Sequence, residues 1–243
     1  MVDVPASTLE KLRQYDTPTI CNVIELFDVQ PRTDGFMDGR IRACFPKMAP
    51  MVGFASTATF RSAFPPASGS VYASMSEQVA SFGDLPGPAV VVFQDLDSPP
   101  KSATFGEVMC TTYKAFGAAG LITSGAARDL EQVEALEFPC FSDGTICSHG
   151  YCHILEVNGP VHVGGICVQP RDLIHGDCNG VTKIPIEIAN AVADACKDFV
   201  DAETIVLSYL QAGNVTVEGF TEAREACKAK MDEIAKQVTA KRK

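Results

Sequence analysis

Between residues 89 and 141 the chain alternates short apolar runs with amphipathic stretches, and this rhythm constrains the fold more than any other feature. Ala89-Val90-Val91-Val92-Phe93 is a continuous apolar run of the kind found in strands buried on both faces. Residues 106–116 carry helical spacing, 118–123 read as the next strand, 129–136 as a helix and 138–141 as a further strand. Strand, helix, strand, helix, strand in that order predicts parallel βαβ units, because parallel neighbours need a crossover and a helix supplies it.

The flanks read differently. Ser7-Thr8-Leu9-Glu10 has the form of a capping box, and Thr17-Pro18 places an N-cap and a first-turn proline ahead of apolar Ile20, Val23, Ile24 and Phe27, so two helices open the chain. Gly53-Phe54-Ala55-Ser56-Thr57-Ala58-Thr59-Phe60 alternates well enough for a strand, and Pro65-Pro66-Ala67-Ser68-Gly69-Ser70 reads as a loop. After Ser142 come short strands punctuated by Gly and Pro, at 154–158, 161–163, 166–168, 173–175 and 181–184. They predict a small antiparallel or barrel-like half folded onto the first. Residues 185–199 and 221–238 read as helices, the second with Ala223, Cys227, Met231, Ile234 and Val238 on one stripe. Packing within the chain or against another subunit explains that stripe, and apolar surface of this kind predicts an oligomer.

With 243 residues, 46% of them hydrophobic and 21% charged, the chain can bury one sizeable core, so a single α/β domain is expected. No stretch approaches a membrane span, and Met1-Val2-Asp3-Val4-Pro5 lacks the layout of a secretion signal, which predicts a cytoplasmic protein without a membrane partner. The formal charge is −10 and the basic residues are scattered apart from Lys241-Arg242-Lys243, so no nucleic-acid partner is expected. Ten cysteines in that setting read as reduced thiols. Cys147, His149, Cys152 and His153 lie close together without a C-x-x-C pair, and they read either as a zinc site or as a loop rich in Cys and His.

Chemistry concentrates at Gly106-Glu107-Val108-Met109 and at Gly125-Ala126-Ala127-Arg128-Asp129. The planar fork of arginine pairs with a carboxylate at two points, and an aspartate supplies the hard oxygen that magnesium or manganese prefers. Both residues follow a predicted parallel strand, at the end where α/β folds place ligand crevices. Asp129 has a second reading, since Asp129-Leu130-Glu131-Gln132 fits the pattern of a helix N-cap. Gly106 opens a helix whose free N–H groups could hold an anionic carboxylate, and it is equally a turn glycine.

These motifs, with Phe138-Pro139-Cys140-Phe141, Thr17-Pro18-Thr19-Ile20-Cys21-Asn22 and above all the run from Val168-Gln169-Pro170-Arg171-Asp172-Leu173 through His175-Gly176-Asp177 to Pro185, resemble the RraA-like family. That family holds the 4-hydroxy-4-methyl-2-oxoglutarate aldolases, the regulators of ribonuclease activity A, and proteins mislabelled as demethylmenaquinone methyltransferases. The resemblance covers about 17–195, with 196–243 as a helical extension of a single domain. It implies a three-layer β-β-α fold of the swivelling-domain type, a homotrimer or homohexamer, and a divalent metal, Mg²⁺ or Mn²⁺. It also implies Asp129 as the direct metal ligand, Arg128 on the carboxylate of a small 2-oxo-acid substrate, and Gly106, Glu107, Val108 and Met109 on the substrate through their amides. Two departures stand out: Glu107 replaces the usual Asp after the glycine, and Pro170-Arg171-Asp172-Leu173 replaces Pro-Gly-Asp-Leu.

The activity this predicts is a metal-dependent pyruvate aldolase, a lyase acting on a 4-hydroxy-2-oxo diacid, with oxaloacetate decarboxylase activity by the same electron flow. Cleavage beside a 2-oxo group leaves an electron pair that a divalent ion can stabilise, and Glu107, by way of a water on the metal, is the expected proton relay. A Schiff-base lysine is the other chemical solution, with Lys114 and Lys183 as its candidates. A regulator that binds a ribonuclease or another protein is the alternative from a different class. A methyltransferase is disfavoured because no glycine-rich cofactor loop follows an early strand.

Overall fold

A computed structural model describes residues 3–67 and 73–240. The elements in chain order are α1 (Ala6–Leu12), α2 (Thr17–Glu25), β1 (Arg42–Ala43), β2 (Met51–Arg61), α3 (Ala73–Ser81), β3 (Ala89–Asp95), β4 (Ala103–Phe105), α4 (Glu107–Ala115), β5 (Gly120–Thr123), β6 (Ala126–Ala127), α5 (Leu130–Ala135) and β7 (Cys140–Ser142). They continue with β8 (His153–Val157), β9 (Val161–Val163), β10 (Ile166–Val168), β11 (Leu173–Asp177), β12 (Gly180–Ile184), α6 (Ala189–Gln211) and α7 (Val217–Ala240). Ser68, Gly69 and Ser70 of the expected loop and the basic Lys241-Arg242-Lys243 lie outside the described residues.

The βαβ rhythm is realised as β3, β5 and β7 pairing in parallel, with α4 and α5 as crossovers. Their partner on the far side is β2, also parallel to β3. The apolar run of β3 follows from its position between two cores. Ala89, Val91 and Phe93 face a cluster with Met75, Val79, Cys110, Tyr113 and Val133 of the covering helices, while Val90 and Val92 face Ile122, Phe141, Ile174 and the β9–β10 hairpin.

The antiparallel strands join the parallel ones through β2. Its first residues, Met51 to Phe54, pair with β11, and its last, Ala58 to Arg61, with β8. β12 follows β11, and the hydrogen-bonded order is β1-β7-β5-β3-β2-β11-β12. The segment 36–43 runs from a bridge on Thr182 of β12, at Phe36, to β7, where Arg42 faces Ser142, so the two edges approach and the sheet is barrel-like.

Both terminal regions pack on one side. Leu9, Leu12, Ile20, Val23 and Ile24 share a core with Val52, Phe54, Leu173 and Val192, and Ile234 and Val238 of α7 close it. The α7 stripe is thus largely spent within the chain: Cys227, Ile234 and Val238 are buried. Two local details differ from expectation. The capping box at Ser7 does not form, since α1 already starts at Ala6 and the Thr8 hydroxyl donates to Asn190 Oδ1 (2.6 Å). The cap of α2 is Asp16, one residue earlier than expected, accepting from Thr19 N–H (2.8 Å). His175 is fully buried between the Thr17 hydroxyl (3.0 Å) and the Leu12 carbonyl (3.1 Å), and burial pushes its pKa down.

Candidate functional site

Two very short strands build the site. β4 and β6 pair in parallel, Ala103 with Ala126 and Phe105 with Ala127, and the Arg128 N–H donates to the Phe105 carbonyl (3.2 Å). Residues that follow each strand therefore meet: Gly106 with the start of α4 on one side, Arg128 and Asp129 on the other. The contact is close. A Cβ on Gly106 would lie 2.4 Å from Asp129 Oδ2 and 3.0 Å from Arg128 Nε, so a larger residue there would displace one of these side chains or the backbone.

Asp129 occupies the N-cap position of α5 but does not cap it. Its φ and ψ are 54° and 42°, a left-handed conformation, and its side chain makes no cap bond there. Oδ2 instead accepts the Glu107 N–H at 3.0 Å, which caps α4 from 22 residues away. Left-handed backbone costs a non-glycine residue about 1–2 kcal/mol, least for Asp and Asn, and such strain concentrates at functional sites. Oδ1 accepts no hydrogen bond among the described residues. Arg128 Nε lies 3.8 Å from Asp129 Oδ2, and both side chains are about one-third exposed, at 31%. The guanidinium is thus close enough to feel the carboxylate and open enough to receive another.

Gly106, Val108, Met109, Arg128, His149 and Cys152 line a small pocket here. Glu107 has an exposed side chain and, like Asp129, borders that wall without lining it, and its N–H is given to Asp129. Of the expected amide donors, those of Gly106, Val108 and Met109 remain, and the last two, in the first turn of α4, have no intrahelical acceptor. The two lysines of the Schiff-base alternative are engaged elsewhere, Lys114 with the Leu136 carbonyl and Lys183 with Asp172 (2.8 Å). An apolar groove between α6 and α7, lined by Val206, Leu207, Phe220 and Met231, is larger, but neither Arg128 nor Asp129 lines it. We place the site where cation, carboxylate and helix N-terminus converge.

His149 and Cys152 join this wall from the Cys/His-rich loop. The four residues of that loop do not gather: Cys147 and His149 are exposed, Cys152 is buried, and His153 Nδ1 lies 2.7 Å from the Tyr151 carbonyl. Among the described residues no group of three or more His, Cys, Asp or Glu could hold a metal. A one-carboxylate site at Asp129 is compatible with that, since Mg²⁺ keeps several waters and takes one or two carboxylates.

Behind the pocket lies a second carboxylate. Asp95 Oδ1 accepts the Asp97 N–H (2.9 Å), whereas its buried Oδ2 has no hydrogen-bond partner among the described residues. Burial pushes its pKa up to about 6 against the lowering effect of that N–H, with the Asp97 charge adding to the rise. Gly125 passes so close that a Cβ would lie 2.5 Å from Asp95 Oδ2.

Comparison with known proteins bears on these features. The model of the RraA-like family, described as Aldolase/RraA, matches residues 17–182. A Halalkalibacterium halodurans protein named "Putative 4-hydroxy-4-methyl-2-oxoglutarate aldolase" is 38% identical over 107 residues, 44% of this chain and 50% of that protein. The chain thus spans about half the length of that curated relative. An uncharacterized protein from Pseudomonas syringae pv. tomato superposes with a TM-score of 0.71 at 22% identity, over 92% of this chain and 95% of the other. RraAS2 of Streptomyces coelicolor, described as an unusual member of the RNase ES inhibitor RraA family, gives 0.65 at 20% identity, over 84% and 97%. At those identities the two structures support the fold. No helix of the described residues is long and apolar enough to cross a membrane.

Proposed function

The chain belongs to the RraA-like family, and from that premise we propose that it is a divalent-metal-dependent lyase. Its substrate in this reading is a 4-hydroxy-2-oxo diacid of the 4-hydroxy-4-methyl-2-oxoglutarate type, and its product is pyruvate. One observation carries the reading: Arg128 and Asp129 meet the N-terminus of α4 at Gly106, whose missing side chain lets both approach closely.

Asp129 is the residue that would hold the cation. Its Oδ2 is anchored by the Glu107 N–H, which leaves Oδ1 as the hard oxygen donor that Mg²⁺ or Mn²⁺ prefers. When bound, such a cation supplies Lewis-acid stabilisation to the charge that develops on the 2-oxo oxygen. Arg128 offers forked donors to one substrate carboxylate. The Val108 and Met109 N–H groups, at the positive end of α4, suit the other. Oxaloacetate decarboxylation belongs to the same reading, because it leaves the same electron pair beside a 2-oxo group. So does assembly into a homotrimer or homohexamer, which the exposed Val108 on α4 and Phe116 just after it support.

The test is pyruvate release from a panel of 4-hydroxy-2-oxo acids and oxaloacetate. Activity is expected to vanish with EDTA and return with Mg²⁺ or Mn²⁺. Full activity after rigorous chelation, or a lysine adduct trapped by borohydride, would overturn the metal route. A chain inert toward the whole panel that binds a ribonuclease instead would belong to the regulator reading.

A further inference from the structure

A retro-aldol cleavage needs a group that takes the proton of the substrate's 4-hydroxyl, and His149 lines the pocket together with Arg128 and Gly106. We propose that His149 is that group, a catalytic base whose Nε2 receives the hydroxyl proton as the C3–C4 bond breaks. The inference rests on the lyase reading above and assigns a residue of the Cys/His-rich loop to the same site.

Backbone bonds fix where His149 stands. The Ala127 N–H donates to the Gly144 carbonyl (2.9 Å), the Ile146 N–H to the Ala127 carbonyl (3.0 Å) and the Ala103 N–H to the Ser148 carbonyl (2.8 Å). The loop therefore runs along β6 and then β4, the two strands that deliver Arg128 and Gly106. His149 comes immediately after Ser148 and reaches the pocket wall. On its other side Gly150 has a φ of +49°, and a Cβ there would lie 2.9 Å from the Ser62 carbonyl oxygen and 3.1 Å from Ser102 Oγ. Tyr151 N–H then donates to that Ser62 carbonyl (3.0 Å). An exposed imidazole is thus held between two tethered stretches of chain, which limits how far it can wander from Arg128.

The ring's protonation follows from its partner. Nδ1 lies 2.9 Å from the Gly150 carbonyl oxygen, which can only accept, so Nδ1 carries the proton. In the neutral ring Nε2 then keeps its lone pair and is an acceptor. A 2-oxo acid with its carboxylate on Arg128 needs such an acceptor at its hydroxyl and no second cation.

The step balances within the substrate and this residue. The O–H bond breaks and its proton goes to Nε2. The freed pair forms the new C4 carbonyl, and the C3–C4 pair moves into C2–C3 and onto the 2-oxo oxygen. C3 then takes a proton from solvent and the imidazolium returns one, so no oxidant or further reactant is required.

Two assays separate this role from binding or folding: pyruvate release from 4-hydroxy-4-methyl-2-oxoglutarate, and exchange of the C3 protons of pyruvate for deuterium followed by NMR, both with Mg²⁺. Exchange involves C3 alone and does not need a base at the hydroxyl. His149→Ala and His149→Gln are expected to lose about 100-fold or more in kcat for cleavage, the usual range for a general base, with melting temperature and exchange rate near the parent's. Added imidazole is expected to restore part of the cleavage in His149→Ala. Cleavage at the parent rate in either folded variant, or equal loss of cleavage and exchange, would overturn the assignment. A parent that exchanges without cleaving, or does neither, overturns the lyase reading and His149 with it.

Discussion

Asp95 and Asp129 are carboxylates in one corner of the molecule, and they are treated in opposite ways. Asp95 ends β3, is buried, and presses against Gly125; Asp129 follows a few residues further along that same segment and is one-third exposed. Desolvation dominates at Asp95 and holds its pKa near 6. At Asp129 the backbone takes a strained left-handed turn that swings the carboxylate out of α5 and onto the first N–H of α4. The comparison separates two uses of an acid at a strand end. One is enclosed and wedges the loop from behind, while the other is anchored by one oxygen and leaves the second for a ligand.

The largest expected effect breaks the exposed member. Asn tolerates the left-handed region and its carbonyl oxygen still accepts the Glu107 N–H, so Asp129→Asn is expected to melt within about 0.5 kcal/mol of the parent. Activity is expected to fall by about 100- to 1,000-fold, the loss typical of removing one electrostatic element of a site. Pyruvate release and calorimetry on the same sample check both halves, and parent-like turnover would reduce Asp129 to a cap for α4.

Gly106→Ala comes next. Its Cβ would meet Asp129 Oδ2 at 2.4 Å, so the carboxylate or the start of α4 must shift. Displacement on the scale of 1 Å commonly costs about 100-fold in rate. An alanine variant with parent kcat/KM would show that the close approach is incidental.

The smallest effect is at the enclosed member and reads out as stability. Asp95 has a raised pKa, so the folded state holds its proton more tightly than the unfolded one. Stability from this residue is greatest below the unfolded pKa of about 4 and is lost as pH rises through about 6. Asp95→Asn is expected to melt higher than the parent at pH 8, by about 1–3 kcal/mol, with the gain shrinking toward pH 4. His175, whose pKa is lowered, adds a slope of the opposite sign in the parent and the variant alike, so their difference isolates Asp95. A gain that does not change between pH 4 and 8 would contradict the assignment.

Much of the architecture was legible because it is periodic. The β3 run, the α4 and α5 crossovers and the C-terminal stripe all follow from apolar spacing, and the Arg128–Asp129 pair stood out by its residue types. What could not be read is non-local. β4 and β6 have three and two residues, too few for any period. The partner of Asp129 is on another helix, so its sequence context pointed to a local cap that does not form. His149 was visible only as part of a Cys/His cluster, and its proximity to Arg128 depends on three backbone bonds between distant segments. α6 continues to Gln211 although its amphipathic signal fades, because beyond Ala202 no residue of it is buried. Arg171, standing where the family pattern has glycine, adopts φ 73°, so the turn persists without the residue that favours it.

The division of β2 between two partners has a consequence for how the chain is made. Its first half is completed by β11 and its second by β8, strands that leave the ribosome long after it. Until they arrive, one whole side of the longest strand is an unpaired edge, the kind of surface that recruits other chains. Contacts of such long sequence separation also slow folding, since their loop-closure entropy comes due before the pairing rewards it. Synthesis of this protein therefore has a vulnerable interval that ends only when its C-terminal third emerges, and a chain stopped before Leu173 is expected to aggregate rather than to persist as a smaller domain.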